Sequence, residues 1–580
     1  MTGWSLPRSW RPRWRPALVL AAIAAGEYLS PWRAAGRGAA VLLAAVLAGQ
    51  FLWDSARQVR RATHLRTVLR ARFLELALTT AALAFLLSKV YVWVRFLPDP
   101  AARAALEPVY RQYAGMFIVV AGLRLVVGEF PVRRILHRLE LRPAQTVALG
   151  FALTILAGTV LLSLPPAVNH LESVSILNAL FTATSAVTVT GLTVYDVGTF
   201  HTPLGQVVIL GLIQLGGLGT MAASASLVVL AGRRLRLHSA AALQESMDVM
   251  TLGQVRSQIR TILLVTLIAE GIGTLLLLLA WWDHPAAGNA PFAALFHAVS
   301  AFCNAGFSTL PRGLIPFRDH WPTNLLMATL IVVGGLGFPV LYGLAHVIRL
   351  RLRGQGGGRL SLHTRLALIT TAALLIGGVV TVLVLEGDGE LAGLYWPERL
   401  LAAGFQSVTA RTAGFSTLEV GLLRPATLWV LMGLMFIGGS PGSTAGGIKT
   451  TTAATILTTL WATVQGKDRV EAFGRTIPGE QVAKALALVG ISLGTMSLGT
   501  LALLAGQSGD PLGLTFEVVS AFGTVGLSTG VTPEITAWGK PLIMGLMFVG
   551  RTGPLTLGFA LATREQRSRV IYPTEKIMIG

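Results

Sequence analysis

From about residue 143 onward, apolar runs of two lengths alternate with short polar connectors. The long ones include TVALGFALTILAGTVLLSLP (146–165), TILLVTLIAEGIGTLLLLLAWW (261–282) and ALITTAALLIGGVVTVLVL (367–385). Each reaches the roughly 18–20 residues that a helix needs to cross a bilayer. Half-length apolar pieces sit between them, too short to span. Upstream, further runs near 17–30, 38–54, 74–94 and 113–129 predict four additional spans. With eight more downstream the sequence predicts twelve spans, which puts both termini on one side of the membrane.

Of the 580 residues, 53% are hydrophobic and 13% charged, with a mean hydropathy of +0.65. That balance leaves too little polar surface to cover a soluble protein of this size. The net charge of +20 gathers in alternate connectors. Arg57, Arg60, Arg61, Arg66, Arg70 and Arg72 fill one, and Arg133, Arg134, Arg138 and Arg142 another. Arg233, Arg234 and Arg236 lie in a third, and Arg349, Arg351, Arg353, Arg359 and Arg365 in a fourth. This is the positive-inside pattern, which points to membrane lipids or a cytosolic partner and not to nucleic acid. It makes both termini cytoplasmic, and the basic opening MTGWSLPRSWRPRWRP reads as a cytoplasmic tail before a retained helix. Cys303 is the single cysteine, so no intrachain disulfide forms.

Four segments share one pattern: FTATSAVTVTGLTV (181–194), FHAVSAFCNAGFST (296–309), FQSVTARTAGFST (405–417) and FEVVSAFGTVGLST (516–529). Their glycines, Gly191, Gly306, Gly414 and Gly526, are 115, 108 and 112 residues apart. The third copy is one residue shorter between its Phe and its Gly, which leaves its register open. The second long helices also correspond, through LIQLGGLGTM (212–221), LIVVGGLGFP (330–339), LMFIGGSPGS (434–443) and LMFVGRTGPL (546–555). A recurring period of this kind defines a structural unit, here helix, short re-entrant helix, glycine loop, helix. The predicted fold is an all-α polytopic membrane protein with four such repeats in pseudo-fourfold arrangement around one pore. The predicted divisions are an N-terminal tail with the extra helices (1–142), repeats at 143–235, 236–355, 356–465 and 466–570, and a C-terminal tail (571–580).

Non-helical backbone cannot face lipid, because unpaired N–H and C=O groups cost several kcal/mol each there. Four glycine loops must therefore be buried together, where a ring of their carbonyls can replace the hydration shell of a cation. Calcium or magnesium would call for Asp or Glu oxygens, and the four stretches TVTG, CNAG, RTAG and GTVG contain none. The expected ion is monovalent. No paired carboxylates, nucleophile constellation or metal-ligand cluster suggests an enzyme or a resident cofactor. A secondary carrier for an organic solute is a rival reading, but carriers commonly show two related halves and this chain shows four quarters. A membrane-embedded enzyme acting on lipid is another, lacking the acidic motifs it would need.

The third copy of the second helix carries GGSPGSTAGGIKTTT (438–452). Pro441 removes a helix hydrogen bond and the glycines favour unwinding, so a broken helix is predicted. It is not a nucleotide-binding loop of the G-x-x-x-x-G-K-[ST] type, since Ile448 separates Gly447 from Lys449. Arg551 stands where the other three copies have glycine, and a charge at that depth should face the interior. Arg551 is expected to hydrogen-bond carbonyls of 438–452 and to add an electrostatic barrier to cations, with a structural ion pair, for instance to Glu270, as the alternative.

The four loops, GGSPGSTAGGIKTTT and GRTGPLTL (550–557) together resemble the Trk/Ktr/HKT superfamily of potassium transporters, over about 440 residues. The ending YPTEKIMIG (572–580) looks more like the bacterial Ktr-type membrane subunit than the Trk type, while the N-terminal extension is more reminiscent of longer Trk-like chains. The resemblance implies a filter at the four glycines, with carbonyls of Val189, Thr190, Asn304, Ala305, Thr412, Ala413, Thr524 and Val525 beside them. Glycine at position 191, where the plant branch uses serine for sodium, favours potassium, with a sodium-permeable or sodium-coupled member as the alternative. Arg411 is expected to anchor the third loop or its outer rim. The stretch 438–452 is implied to be an intramembrane gate, with Gly438, Gly439, Pro441, Gly442, Ser443, Thr444, Gly446 and Gly447 as its backbone and Lys449 at its cytoplasmic end. The resemblance further implies a homodimer in the bacterial cytoplasmic membrane. Uptake would be driven by the membrane potential, with sodium or protons as candidate coupling ions of a symporter. A cytosolic ring of RCK-type subunits would bind the nucleotides, since this chain shows no nucleotide site.

Overall fold

The computed structural model describes residues 143–164, 167–169, 175–235, 252–354 and 359–553. The extra N-terminal spans, the first two arginine clusters and the C-terminal tail lie outside these residues.

Each predicted unit has a long first helix: α1 (Pro143–Leu162), α4 (Leu252–Trp281), α8 (Leu362–Leu385) and α12 (Gly479–Gly506). A short second helix follows, α2 (Ile176–Val187), α5 (Ala290–Phe302), α9 (Trp396–Thr409) or α13 (Pro511–Gly523). Proline in the first turn of α5, α9 and α13 suits a position whose N–H has no partner inside the helix. The Asp510 carboxylate caps α13 by accepting from the Leu512 and Gly513 amides. The returning helices are α3 (Pro203–Leu235), the pair α6 (Trp321–Leu336) and α7 (Phe338–Leu352), the pair α10 (Pro425–Phe436) and α11 (Thr450–Val464), and α14 (Gly539–Thr552). A two-stranded hairpin, Glu471–Ala472 with Arg475–Thr476, connects α11 to α12.

Five of the described helices are long and apolar enough to cross a membrane, and six spans result if α6 and α7 count as one. The second unit departs from the continuous returning helix read from the sequence. Between α6 and α7 the axis turns by 99°, at Gly337, whose φ is 77°. The outer faces are apolar: Leu267, Leu279, Val384 and Leu498 are more than 60% exposed. Water would disfavour such a surface, and hydrocarbon accepts it.

Packing of the short helices positions the site. Within each unit the first helix packs on the short one: α1 on α2, α4 on α5, α8 on α9, α12 on α13. Between units, α3 meets α5, α6 meets α9, α10 meets α13, and α14 meets α2. The last of these contacts joins the end of the described chain to its beginning. In the first, second and fourth units a glycine of the returning helix allows the close approach: a Cβ at Gly216, Gly334 or Gly550 would fall 2.1, 1.9 or 1.9 Å from the carbonyl oxygen of Val187, Phe302 or Phe522.

Candidate functional site

Past each short helix the backbone enters the left-handed region twice, with one residue between. The pairs are Val189 (φ 55°) with Gly191 (96°), Asn304 (58°) with Gly306 (70°), Thr412 (69°) with Gly414 (81°), and Thr524 (49°) with Gly526 (91°). A left-handed non-glycine residue costs about 1–3 kcal/mol, so something must hold it. The hydroxyl residue of each motif does. The amides of Thr190, Ala305, Ala413 and Val525 donate to the carbonyls of Ser185, Ser300, Thr409 and Ser520 at 2.8, 2.7, 3.0 and 2.9 Å. The hydroxyls of Ser185 and Ser520 accept from the amides of Gly191 (3.0 Å) and Gly526 (3.1 Å). Those of Ser300 and Thr409 donate to the carbonyls of Phe307 (2.9 Å) and Phe415 (2.5 Å). Thr409 therefore stands for the serines, and the missing residue of the third copy falls where Arg411 replaces two residues of the others.

The four turns abut in cyclic order. A Cβ on Gly191 would lie 2.5 Å from the Ala305 carbonyl oxygen, and one on Gly306 2.8 Å from that of Ala413. On Gly414 it would lie 2.5 Å from the Val525 oxygen, and on Gly526 2.1 Å from that of Thr190. Every glycine of the motif thus sits against the carbonyl that precedes the glycine of the next turn.

Sequence reasoning missed the braces behind these turns. The residue after each motif phenylalanine is buried and polar: Thr182, His297, Gln406 and Glu517. His297 has its Nδ1 2.8 Å from the Ala293 carbonyl, so Nδ1 donates and Nε2 accepts from the Ser308 hydroxyl at 2.8 Å. Ser416 donates to Gln406 at 3.3 Å, and Ser528 and Thr532 (2.8 Å) donate to Glu517. Ser308, Ser416 and Ser528 are the hydroxyl residues that close the G-[LF]-[ST] pattern. The available signal was a polar residue at one fixed position, directly after the motif phenylalanine of each short helix.

Between Phe436 and Thr450 the chain leaves the helix and folds back, so that the Gly438 amide donates to the Ile448 carbonyl (2.9 Å) and the Ile448 amide to that of Phe436 (3.1 Å). It interlocks with the α6–α7 bend. Ser440 donates to Gly335 (2.9 Å), Thr444 to Gly334 (3.3 Å), and Phe338 to Gly442 (3.3 Å), all through backbone amides. A Cβ on Gly337 would come within 2.9 Å of the backbone of Gly442 and Ser443. Pro441 accordingly faces a bend, with no preceding helical turn to clash with. The same stretch touches the glycine turns. Thr444 Oγ1 lies 2.9 Å from Asn304 Oδ1 and donates to the Phe302 carbonyl at 3.1 Å. A Cβ on Gly446 would fall 1.9 Å from the Thr524 hydroxyl.

Two buried arginines tie the stretch down. Arg551 donates to the Thr444 carbonyl, to the Gly216 carbonyl (3.0 Å) and to Thr220 Oγ1 (3.1 Å). It makes no ion pair with Glu270, which instead accepts from Gln214 (3.1 Å) and lies 3.8 Å from the Cys303 thiol. Arg411, expected to anchor the third loop or its outer rim, donates to the Gly438 carbonyl at 2.7 Å and to that of Thr371 at 3.4 Å, so it reaches from the third turn to the broken helix. Lys449 occupies the N-cap position of α11 without capping it through its side chain, and its ammonium donates to the Ala445 carbonyl at 2.7 Å. Gly439 and Gly447 complete the fold-back, Gly439 packing on the Ala445 methyl and Gly447 on Gly438. A cavity of about 240 Å³ opens beside it, lined by Gly442, Ser443, Lys449, Thr452, Thr220 and Arg551 and walled by α1 and α12.

Long lipid-compatible helices around buried, carboxylate-free backbone turns define a polytopic helical protein of the membrane-transport class. The TrkH model, described as a cation transport protein, matches residues 144–568, and the chain belongs to that family. This is a family of ion transport proteins and not of enzymes. The chain is 40% identical over 449 residues to the Ktr system potassium uptake protein B of Bacillus subtilis (strain 168), covering 77% of this chain and 99% of that protein. It is 37% identical over 453 residues to the potassium/sodium uptake protein NtpJ of Enterococcus hirae, covering 76% and 98%. Among solved structures it is similar to the potassium transporter TrkH from Vibrio parahaemolyticus, with a TM-score of 0.58 and 19% identity over 85% of this chain and 98% of that one.

Proposed function

We propose that the protein takes up potassium across the bacterial cytoplasmic membrane by channel-like permeation through a filter of backbone carbonyls. One observation carries this reading: each motif glycine abuts the carbonyl oxygen before the next glycine, through all four turns and back to the first. Such an arrangement can replace an alkali ion's hydration shell. The filter carbonyls are those of Val189, Thr190, Asn304, Ala305, Thr412, Ala413, Thr524 and Val525, together with the four glycines. The four repeats surround this axis, with their glycine loops entering from outside and both termini in the cytoplasm.

The stretch 438–452 is the gate under the filter, and Arg551 holds it and opposes cations with its charge. The hydrogen bond of Arg551 to Thr444 and the contact of Thr444 with Asn304 of the second turn support that role. The active form is a homodimer controlled by a cytosolic nucleotide-binding subunit, a reading supported by likeness to proteins named as parts of a Ktr system. Sodium is the second ion to test, because one relative is named for uptake of both potassium and sodium.

The test is growth of potassium-uptake-deficient cells at low external potassium, with and without a candidate regulatory subunit. The expected outcome is rescue by the wild-type chain and loss of rescue on Gly526→Ser. Absence of both potassium and sodium uptake from cells that carry the protein in their membrane would overturn the proposal.

A further inference from the structure

Glu270 is buried, at 5% exposure, and forms no ion pair among the described residues. It lies eleven residues, about 16 Å, from the outer end of α4, near the middle of a hydrocarbon core of about 30 Å. An acidic residue is costly to place at that depth and calls for a role. Its partners are uncharged. Gln214 of α3 donates through Nε2 to Glu270 Oε2 at 3.1 Å. The Cys303 thiol lies 3.6 Å from Gln214 Oε1 and 3.8 Å from Glu270 Oε1. It also seats on α3, where a Cβ at Gly217 would fall 2.7 Å from Sγ.

The other three units lack this arrangement. In every unit a glycine of the first helix packs on the leucine that opens the returning-helix motif, as Gly158 does on Leu212 and Gly273 on Leu330. Counting from those contacts, Glu270 corresponds to Ile155, Leu375 and Met496, and Gln214 to Val332, Phe436 and Phe548. Between the second and third units, Val332 and Leu375 line a small space beside Arg411. Gln214 and Glu270 take the same places beside Cys303. The residue before each first left-handed position is also held differently. Thr188 donates its hydroxyl to the Thr184 carbonyl at 2.7 Å, Arg411 reaches Gly438, and Gly523 has no side chain. Cys303 alone is met by a polar pair on the two long helices outside it.

We infer that Gln214 and Glu270 are positioning residues for the second turn. They fix Cys303, and through it Asn304 at φ 58° and the carbonyls that follow, so that this turn discriminates potassium from sodium. The inference rests on the filter reading above. Discrimination depends on the number and field of the carbonyls presented to the ion, and a support outside one turn of four acts on those carbonyls unequally. The support needs hydrogen-bonding atoms and not a charge, because an amide side chain in place of the carboxyl serves the Gln214 N–H and the thiol as well.

The test compares Glu270→Gln with the double variant Gln214→Val/Glu270→Leu, which copies the apolar pair between the second and third units. Replacing both partners leaves no orphaned polar group, so the double variant is expected at wild-type abundance. Initial potassium and sodium uptake are measured in uptake-deficient cells, and alkylation of Cys303, the only cysteine of the chain, is followed in membranes. The potassium-to-sodium ratio is expected to be unchanged in Glu270→Gln and severalfold lower in the double variant. Alkylation is expected to be severalfold faster in the double variant alone. If that variant does not accumulate, Cys303→Ala removes the contact from its other end and should lower the ratio in the same direction. An unchanged ratio in the double variant or in Cys303→Ala, or an equal loss in Glu270→Gln, overturns the inference. If the wild-type chain takes up neither ion, the pore reading fails, and equal alkylation rates in wild type and double variant then overturn the support as well.

Discussion

Adding one methyl group at each motif glycine should damage transport in an order set by the space around it. A Cβ meets the neighbouring carbonyl oxygen at 2.1 Å from Gly526, 2.5 Å from Gly191 and Gly414, and 2.8 Å from Gly306. To restore ordinary van der Waals contact near 3.4 Å, the Thr190 carbonyl must retreat by about 1.3 Å, those of Ala305 and Val525 by about 0.9 Å, and that of Ala413 by about 0.6 Å. All four positions have positive φ, which adds about 1–3 kcal/mol of strain for alanine. Overpacking adds about 1–3 kcal/mol more where nothing can yield. Gly526→Ala should therefore cost about 4–6 kcal/mol locally and Gly306→Ala about 2–3 kcal/mol. A carbonyl moved by 1 Å no longer ligates an ion, so uptake should fall most in Gly526→Ala, next in Gly191→Ala and Gly414→Ala, and least in Gly306→Ala. The assay is initial potassium uptake by deficient cells at low external potassium, normalised to protein in the membrane. Equal or better uptake by Gly526→Ala than by Gly306→Ala, at equal abundance, would refute the geometric reasoning.

Arg551→Ala should raise leak flux, since it removes a charge and the bond to the Thr444 carbonyl; unchanged or lower flux in electrophysiology would count against a barrier. Gly446→Ala puts a methyl 1.9 Å from the Thr524 hydroxyl, so it should lift the broken helix off the fourth turn and increase basal conductance without loss of protein. Conductance at the wild-type level would show that the contact does not restrain opening. Glu517→Gln leaves one carbonyl oxygen where two carboxylate oxygens served Ser528 and Thr532. The expected cost is about 1–3 kcal/mol, read as a lower Tm and a lower ratio of potassium to sodium uptake, and a variant unaltered in both would remove Glu517 from the bracing role.

Periodicity made the units legible. The spacing of Gly191, Gly306, Gly414 and Gly526 and the alternation of full and half-length runs are one-dimensional signals, and the short helices follow them. The 99° turn at Gly337 was not legible, because GGLGFP in the second copy differs little from GGLGTM in the first, where α3 runs on unbroken. What separates them is Pro339 and the interlock of Gly337 with Gly442 and Ser443, a contact between residues a hundred positions apart. The direction of Arg411 was hidden for a related reason. Its neighbours in sequence are the third turn, but its partner is Gly438 in the non-helical stretch that follows α10. The braces at His297, Gln406 and Glu517 had a signal, yet a polar residue in a short apolar helix has meaning only once its hydroxyl partner two residues past the glycine is in view.

If residues 438–452 form the gate, their tethers set what opening must supply. Arg411 at Gly438 and Arg551 at Thr444 contribute charged hydrogen bonds of about 1.5–3 kcal/mol each, and the neutral bonds of Ser440 to Gly335 and of Thr444 to Phe302 about 0.5–1.5 kcal/mol each. Together they amount to about 4–9 kcal/mol. Driving a two-state element from 1:99 to 99:1 takes about 5.5 kcal/mol of differential binding. The tethers are therefore too strong for thermal opening to be frequent and weak enough for one partner protein to overcome. The glycines fit this balance, since stretches without side chains have little packing to lose when they move. A gate built mainly from backbone and held at its start and near its middle by guanidinium groups is one that a docking event on an adjacent helix can release.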